Sequence, residues 1–589
     1  MGEREAQGAL TPGQAKGRAP ASLTVVIAAL IGLGYLVHLR AWTFACDDAF
    51  ISFRYAQNLG EHGALVYNLD PLERVEGYTN FLWVLILAAG AGLGLAPDRL
   101  APLLTGAAGL ASLALIALIG AQLRRHLAPL EHAKPERAPS SWRDLQPLDL
   151  LAPALLAAVP EFVVWGSGGL ETSFALALGL AAIWAWLDAR IELAAIFAAL
   201  AGLTRPDALS WIACFGLGWL GVAAVRRWRT RGALELAALP WKRLAVALGI
   251  FAALIGGHAL FRRLYYGQWL PNTWAVKQHG ALLRERWGLG YLRFWVDRLR
   301  LPTLVPLVVL LRPRHLVLLA PCAAVVAYAW SVGGDFMAYG RFLLPATALL
   351  ALLVGWLLAE THDELARRWP GRAWLAALVW AAPAALGLGY QLARVPARVA
   401  EDRDHAHLHL TYGDDGRPTP DTPGFEGVRA MDRFAAVRLA AGEELAERVP
   451  PDTWITVGAA GALPYASRLP AYDAYGLVDP GVLGAAEPLV DRRARPGHQL
   501  YAPLAYMLGR EPDLMCHIGW EAALAPTSRD ARRRAGPGWA WACVSTGPIP
   551  PRHLDPHADP SADDTSRYYC CLRPRDRFED LDPERGDAP

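Results

Sequence analysis

Two adjacent carboxylates, Asp47 and Asp48, follow the first long apolar run of the chain, with Arg54 a few residues further on. Carboxylates at a membrane edge are costly unless they are solvated or used. One could take the proton of an acceptor hydroxyl while the other holds a sugar hydroxyl, Arg54 or a cation. A solvated helix terminus, with Asp capping a helix over 49–58, explains the same residues on chemistry alone. The loop 45–80 also carries Glu73, Glu76 and Tyr78. Later apolar runs begin or break at similar polar groups. These are Glu171, Arg205 with Asp207, Asn272 with Lys277, and Asp335 with Arg341. Arg205, Lys277 and Arg341 are the cations to expect on a phosphate, Arg as a fork and Lys as a point charge. Each group has a plainer alternative in a loop ion pair or an interfacial aromatic belt; their recurrence on one face favours a site.

The elements that must position these groups are apolar helices. The sequence has 589 residues, 54% hydrophobic and 19% charged, with a mean hydropathy of +0.21. A bilayer core of about 30 Å needs about 20 apolar residues per helix. Beyond the first run, 22–42, such runs cover 81–95, 101–123, 148–165, 170–187, 190–204, 208–225, 243–262, 300–311, 315–332, 342–358 and 374–391. Reading 81–95 as an interfacial or re-entrant helix lets the basic connectors, such as Arg124–Arg125, fall on one side. That leaves roughly 11 transmembrane helices, with 1–21 cytoplasmic, the loop 45–80 outside, and 22–391 as the membrane domain. From 392 to 589 the chain is polar. The segment 454–457 followed by a Gly-rich turn points to a soluble α/β domain outside the membrane, with loosely ordered ends. Its four cysteines, Cys516, Cys543, Cys570 and Cys571, are then free to form disulfides whose pairing the spacing does not fix.

Net charge near neutral gives no reason to expect a nucleic-acid partner. No phosphate-binding or dinucleotide Gly motif and no nucleophile elbow is found, so no cofactor is required. The many carboxylates leave room for a divalent cation, but no ligand spacing specifies a metal. His405, His407 and His409 lack a fourth ligand nearby.

The segments Asp47–Tyr55 and Glu73–Trp83 resemble the terminal arabinofuranosyltransferase family of mycobacterial cell-wall assembly and its bacterial relatives. So do Gly169–Thr172, Thr204–Asp207, Tyr266–Thr273, Gly334–Pro345, Gly461–Tyr465 and Asp473–Asp479, in order. The resemblance implies a GT-C multi-span α-helical membrane protein of the inner (plasma) membrane, with its site and C-terminal domain extracytoplasmic. It implies a glycosyltransferase using a polyprenyl-phosphate sugar donor, arabinofuranose in the relatives, and an envelope glycan or glycolipid acceptor. Asp47 or Asp48 matches the catalytic base. Arg205, Lys277 and Arg341 become donor-phosphate groups. Arg54, Glu73, Glu76, Tyr78, Glu171, Asp207, Asn272 and Asp335 become sugar or acceptor contacts. A flippase for a lipid-linked sugar, or a non-catalytic assembly scaffold, are the alternatives; the clustering of charge at span ends and the lack of internal repeats favour the enzyme.

Overall fold

A computed structural model describes residues 21–69, 74–127, 145–229, 240–278, 284–404, 427–486, 497–522, 525–547 and 568–583. Glu73 and the three histidines at 405–409 lie outside them.

The apolar runs fold as helices, but they differ in length. Among the described residues, six have the length and apolarity of single membrane spans: Ser22–Arg40, Pro97–His126, Ala208–Val225, Trp241–Tyr266, Pro313–Ser331 and Ala338–Arg368. The chain is a multi-pass membrane protein. The run expected over 148–165 is a pair, Pro147–Ala157 and Pro160–Gly166, bent by 79°. Pro160 sits at the break, where it disfavours helical geometry at the preceding residue and brings no donor of its own. The run expected over 300–311 is a 3-10 helix, Leu301–Leu310, with Pro302 in its first turn and Pro306 inside it, where the latter removes a donor an α-helix would use and crowds the preceding turn. Helices Thr172–Leu187 and Ile191–Thr204 are apolar but short.

Helix α1 (Ala21–Arg40) leads by a tight turn into α2 (Asp47–His62). Cys46 occupies the position before α2, so Asp47 and Asp48 are the first two helical residues, where negative charge meets the positive end of the helix dipole. Gly63 ends the helix with φ 70°, a conformation that favours glycine. Ten of its 16 residues are buried although the helix is not apolar, so α2 is clasped on most sides. Helix α3 (Phe81–Gly92) has 12 residues, about 18 Å of rise, shorter than a bilayer core of about 30 Å. Helix α4 (Pro97–His126) packs closely on α1, where an added Cβ at Gly109 would collide with the ring of Tyr35.

The C-terminal domain opens on the helix Val428–Arg448 and builds one mixed sheet. Its strands are β1 (Ile455–Val457), β2 (Ala471–Asp473), β3 (Leu514–Ala522), β4 (Trp539–Ser545) and β5 (Tyr568–Pro574), in the order β2-β1-β3-β5-β4. The first three strands in that order run parallel and the last three antiparallel. Adjacent residues on a strand face opposite ways, and Cys570 and Cys571 use this to bond both neighbours, Cys543 on β4 and Cys516 on β3. Cys46 and Cys322 are buried thiols and Cys214 is half-buried.

Peptide mapping without reductant should recover the Cys516–Cys571 and Cys543–Cys570 links and none to the other three cysteines. The Cys543–Cys570 bond closes a separation of 27 residues, so Cys543→Ser should cost the domain about 3 kcal/mol, read by denaturant unfolding.

Candidate active site

The loop 45–80 and α2 are held between membrane helices and soluble domain by groups that use nearly all their hydrogen-bonding capacity. Arg54 is 5% exposed. Its Nε donates to the carbonyl of Tyr67 at 2.7 Å, Nη2 to Leu469 O at 2.8 Å and Asn68 Oδ1 at 3.2 Å, and Nη1 to Pro464 O. Asn68 exchanges a pair of 3.0 Å bonds with the backbone of Ala471, so it docks the loop onto β2. The Tyr67 hydroxyl donates to Ala460 O at 2.7 Å, and Ala45 N donates to Asp432 at 2.7 Å. Asn272 donates to the carbonyls of Gly476 and Leu477 at 2.7 and 2.9 Å. Arg54 and Asn272, expected at a sugar, therefore spend their donors on joining the two parts of the chain.

Glu76 and Tyr78 lie on the same seam. Glu76 is buried and paired with Arg262, with Nη2 to Oε1 at 3.0 Å, and burial pushes its carboxyl upward against that pairing. The Tyr78 hydroxyl meets that of Tyr266 at 3.1 Å. Arg262 was not singled out from the sequence, where it ends an apolar run; a cation inside such a run is the signal that could have found it.

The two carboxylates part company. Asp47 Oδ1 accepts from Ala462 N at 2.9 Å, at the Gly-rich turn after β1. Burial raises its pKa from the usual 3.8 to about 6, opposed by backbone donors and the charge of Arg438. Asp48 is half-buried and lies about 100° further round the helix. Burial raises its pKa too, and the opposite charges that act most on it are Arg341 and then Lys277.

Around Asp48 the remaining groups form one charged neighbourhood. Arg205 grips Asp207 with two nitrogens at 3.1 and 3.3 Å and Glu171 with a third at 3.1 Å. Asn80 donates to the other Glu171 oxygen at 2.9 Å. Arg341 is buried and pairs with Asp335 through Nε. Among the described residues its two outer nitrogens donate to no protein acceptor. Phe342 lies under both guanidiniums, each 5.1 Å from the ring centroid. Lys277 shares the charge field of Arg341, Asp48 and Asp335, and burial pushes its ammonium downward. Asp47, Asp48, Arg205, Lys277, Arg341, Glu171, Asp207 and Asp335 thus lie around one end of the helix bundle. Among the described residues, no set of three or more His, Cys, Asp or Glu side chains is arranged to hold a metal ion.

Beside Asp47 and Asp48 a cavity of about 250 Å³ opens between the loop and the sheet, with Phe336, Tyr475 and Tyr501 among its walls.

The solved structures give the fold a name. Two crystal structures of ArnT from Cupriavidus metallidurans, one in the apo state and one bound to undecaprenyl phosphate, resemble the chain. Each aligns with a TM-score of 0.50 at 13% identity, over 94% of this chain and 98% of ArnT. The chain has the GT-C fold. A family model described as a domain of unknown function (DUF8728) matches residues 429–544, from the first helix of the soluble domain into β4. No curated protein matches the sequence.

Two outcomes follow for the seam. Arg54→Ala should cost roughly 3–5 kcal/mol, seen as a lower melting temperature, because it strands buried carbonyls that now accept from a charge. For Asp47, the folded-state pKa lies above the unfolded one, so the folded chain holds the proton more tightly. The stability linked to that proton is complete below about pH 4 and is lost as pH rises through about 6. Asp47→Asn keeps an acceptor for Ala462 and removes the titration. Relative to the native protein it should gain on the order of 2–3 kcal/mol between pH 4 and 7, measured by unfolding across that range.

Proposed function

We propose that the protein is a glycosyltransferase that moves a sugar from a polyprenyl-phosphate carrier to an envelope glycan or glycolipid on the extracytoplasmic side. The observation that carries this is Asp48, poised between the cavity and the cations Arg341 and Lys277. Asp48 takes the proton of the acceptor hydroxyl, whose oxygen bonds to the anomeric carbon as the bond from that carbon to the phosphate oxygen breaks. The electron pair leaves on the phosphate. The outer nitrogens of Arg341 and the ammonium of Lys277 stabilise that charge; a carboxyl raised by burial suits a base working near neutral pH. Burial, and after it the charge of Arg341, disfavour the Lys277 ammonium, and an arriving phosphate anion offsets both. Arg205, with three nitrogens committed to Asp207 and Glu171, positions the site rather than meeting phosphate. The undecaprenyl phosphate bound by ArnT and the motif resemblance support the donor class, with a pentofuranose the first sugar to try.

Purified protein given radiolabelled polyprenyl-phosphate sugars and an envelope acceptor extract should transfer label. Asp48→Asn should lower the rate by about 10²–10⁴-fold with folding intact, and Arg341→Gln by about 10²-fold. Asp47→Asn should keep most of the activity. Native rates in the Asp48 variant would remove this assignment, and protein-dependent lipid translocation without transfer would favour a flippase.

A further inference from the structure

We infer that the cavity between the first loop and the sheet is a carbohydrate subsite that takes the end unit of an uncharged glycan. The inference rests on the transferase reading, for which it names the acceptor class. A contiguous series of rings borders the space. Phe336 meets His498 with centroids 4.8 Å apart, His498 meets Tyr475 at 4.8 Å, Tyr475 meets Tyr501 at 5.1 Å, and Tyr501 meets His517 at 6.3 Å. The first three contacts are near-perpendicular, so each ring fixes the tilt of the next. Aromatic walls with a few oriented polar groups suit sugar rings, which present apolar C–H faces edged by hydroxyls.

Charge selects the kind of sugar. Three carboxylates, Asp47, Asp48 and Asp473, line the cavity and one guanidinium, that of Arg438. Arg438 is stacked 3.3 Å over the ring of Phe434 and donates to Glu521 and to Phe434 O. Burial lowers the pKa of His517 to about 4, so this imidazole adds no positive charge near neutrality. An acidic or phosphorylated acceptor end meets repulsion here, whereas hydroxyls find acceptors. The volume of about 250 Å³ lies below the roughly 300–1,000 Å³ of drug-sized pockets, room for one sugar unit rather than a chain. Asp473 builds the wall rather than reacting. Its oxygens accept from Tyr475 N at 2.9 Å, Leu477 N at 2.6 Å and Val478 N at 3.2 Å, which fixes the turn that presents Tyr475. Asp48 borders the same space, so a hydroxyl of the bound unit lies on the side of the base.

The full chain in lipid nanodiscs would be titrated with mannobiose, cellobiose and arabinobiose, and with glucuronic-acid and galacturonic-acid disaccharides as charged probes. Undecaprenyl phosphate would be titrated in parallel. We expect at least one neutral disaccharide to bind and the charged probes to bind at least tenfold more weakly. Tyr475→Ala and Tyr501→Leu should each weaken the neutral ligand by about tenfold, while Tyr475→Phe stays close to native. Undecaprenyl-phosphate affinity should not change in these variants, and melting curves would show that they fold; should one not fold, the other carries the test. Failure of every neutral disaccharide to bind, charged probes binding as well, or native affinity in the tyrosine variants would each overturn the inference. Loss of the transferase reading would show separately, as native protein that does not bind undecaprenyl phosphate.

Discussion

The buried guanidinium of Arg54 joins the membrane and soluble parts of the chain into one body. It lies on α2, yet two of its acceptors are carbonyls more than 400 positions away, at Pro464 and Leu469. A charge removed from water to this degree is tolerable only if its donors are satisfied, and the satisfaction requires the soluble domain to be seated. The same contact fixes α2 at its middle while Asp47 fixes it at its start through Ala462. The position of Asp48 is therefore set by the C-terminal domain as much as by the helix that precedes it.

That fixed position matters because the charges around Asp48 are nearly balanced. Arg205, Arg341 and Lys277 face Asp48, Glu171, Asp207 and Asp335. A simple phosphate clamp would carry an excess of cations. Here each arginine is oriented by a carboxylate, and what differs is how much of its fork remains. Arg205 is held from both sides, whereas Arg341 is held through Nε by Asp335. Carboxylates in this arrangement orient the cations and limit the net field, which in the proposed reaction would stabilise a leaving phosphate without holding it indefinitely.

Much of this was legible in the sequence because the bilayer imposes a length and polarity code. The apolar runs, the soluble tail and the polar groups at span ends all came from it. The proline breaks at Pro160 and within 301–310 were visible as residues, but hydropathy averages over them, so two helical runs were read as simple spans. Roles were harder to read than places. Arg54, Asn272 and Glu76 look in sequence like sugar contacts, since polar groups beside a candidate base are what a sugar needs. Their partners are backbone carbonyls of the soluble domain and Arg262, and no local pattern announces such distant acceptors. The disulfide pairing was hidden for the same reason: adjacent cysteines at 570 and 571 select different partners only once strand order is known.

The turn after β2 links the two halves of the site. Asp473 folds that turn through three backbone donors, and the turn offers Tyr475 to the cavity. One and two residues further on, the carbonyls of Gly476 and Leu477 hold Asn272. Asn272 begins the seven-residue helix Asn272–Gln278 that carries Lys277. That helix is short and tethered at its first residue, so Lys277 lies less than two helical turns from the tether. Gly476, with φ 78°, allows the chain to make this bend without strain. The aromatic wall and the helix that carries the buried ammonium thus share one support, the turn itself, folded by the Asp473 carboxylate and held to that helix by the Asn272 side chain.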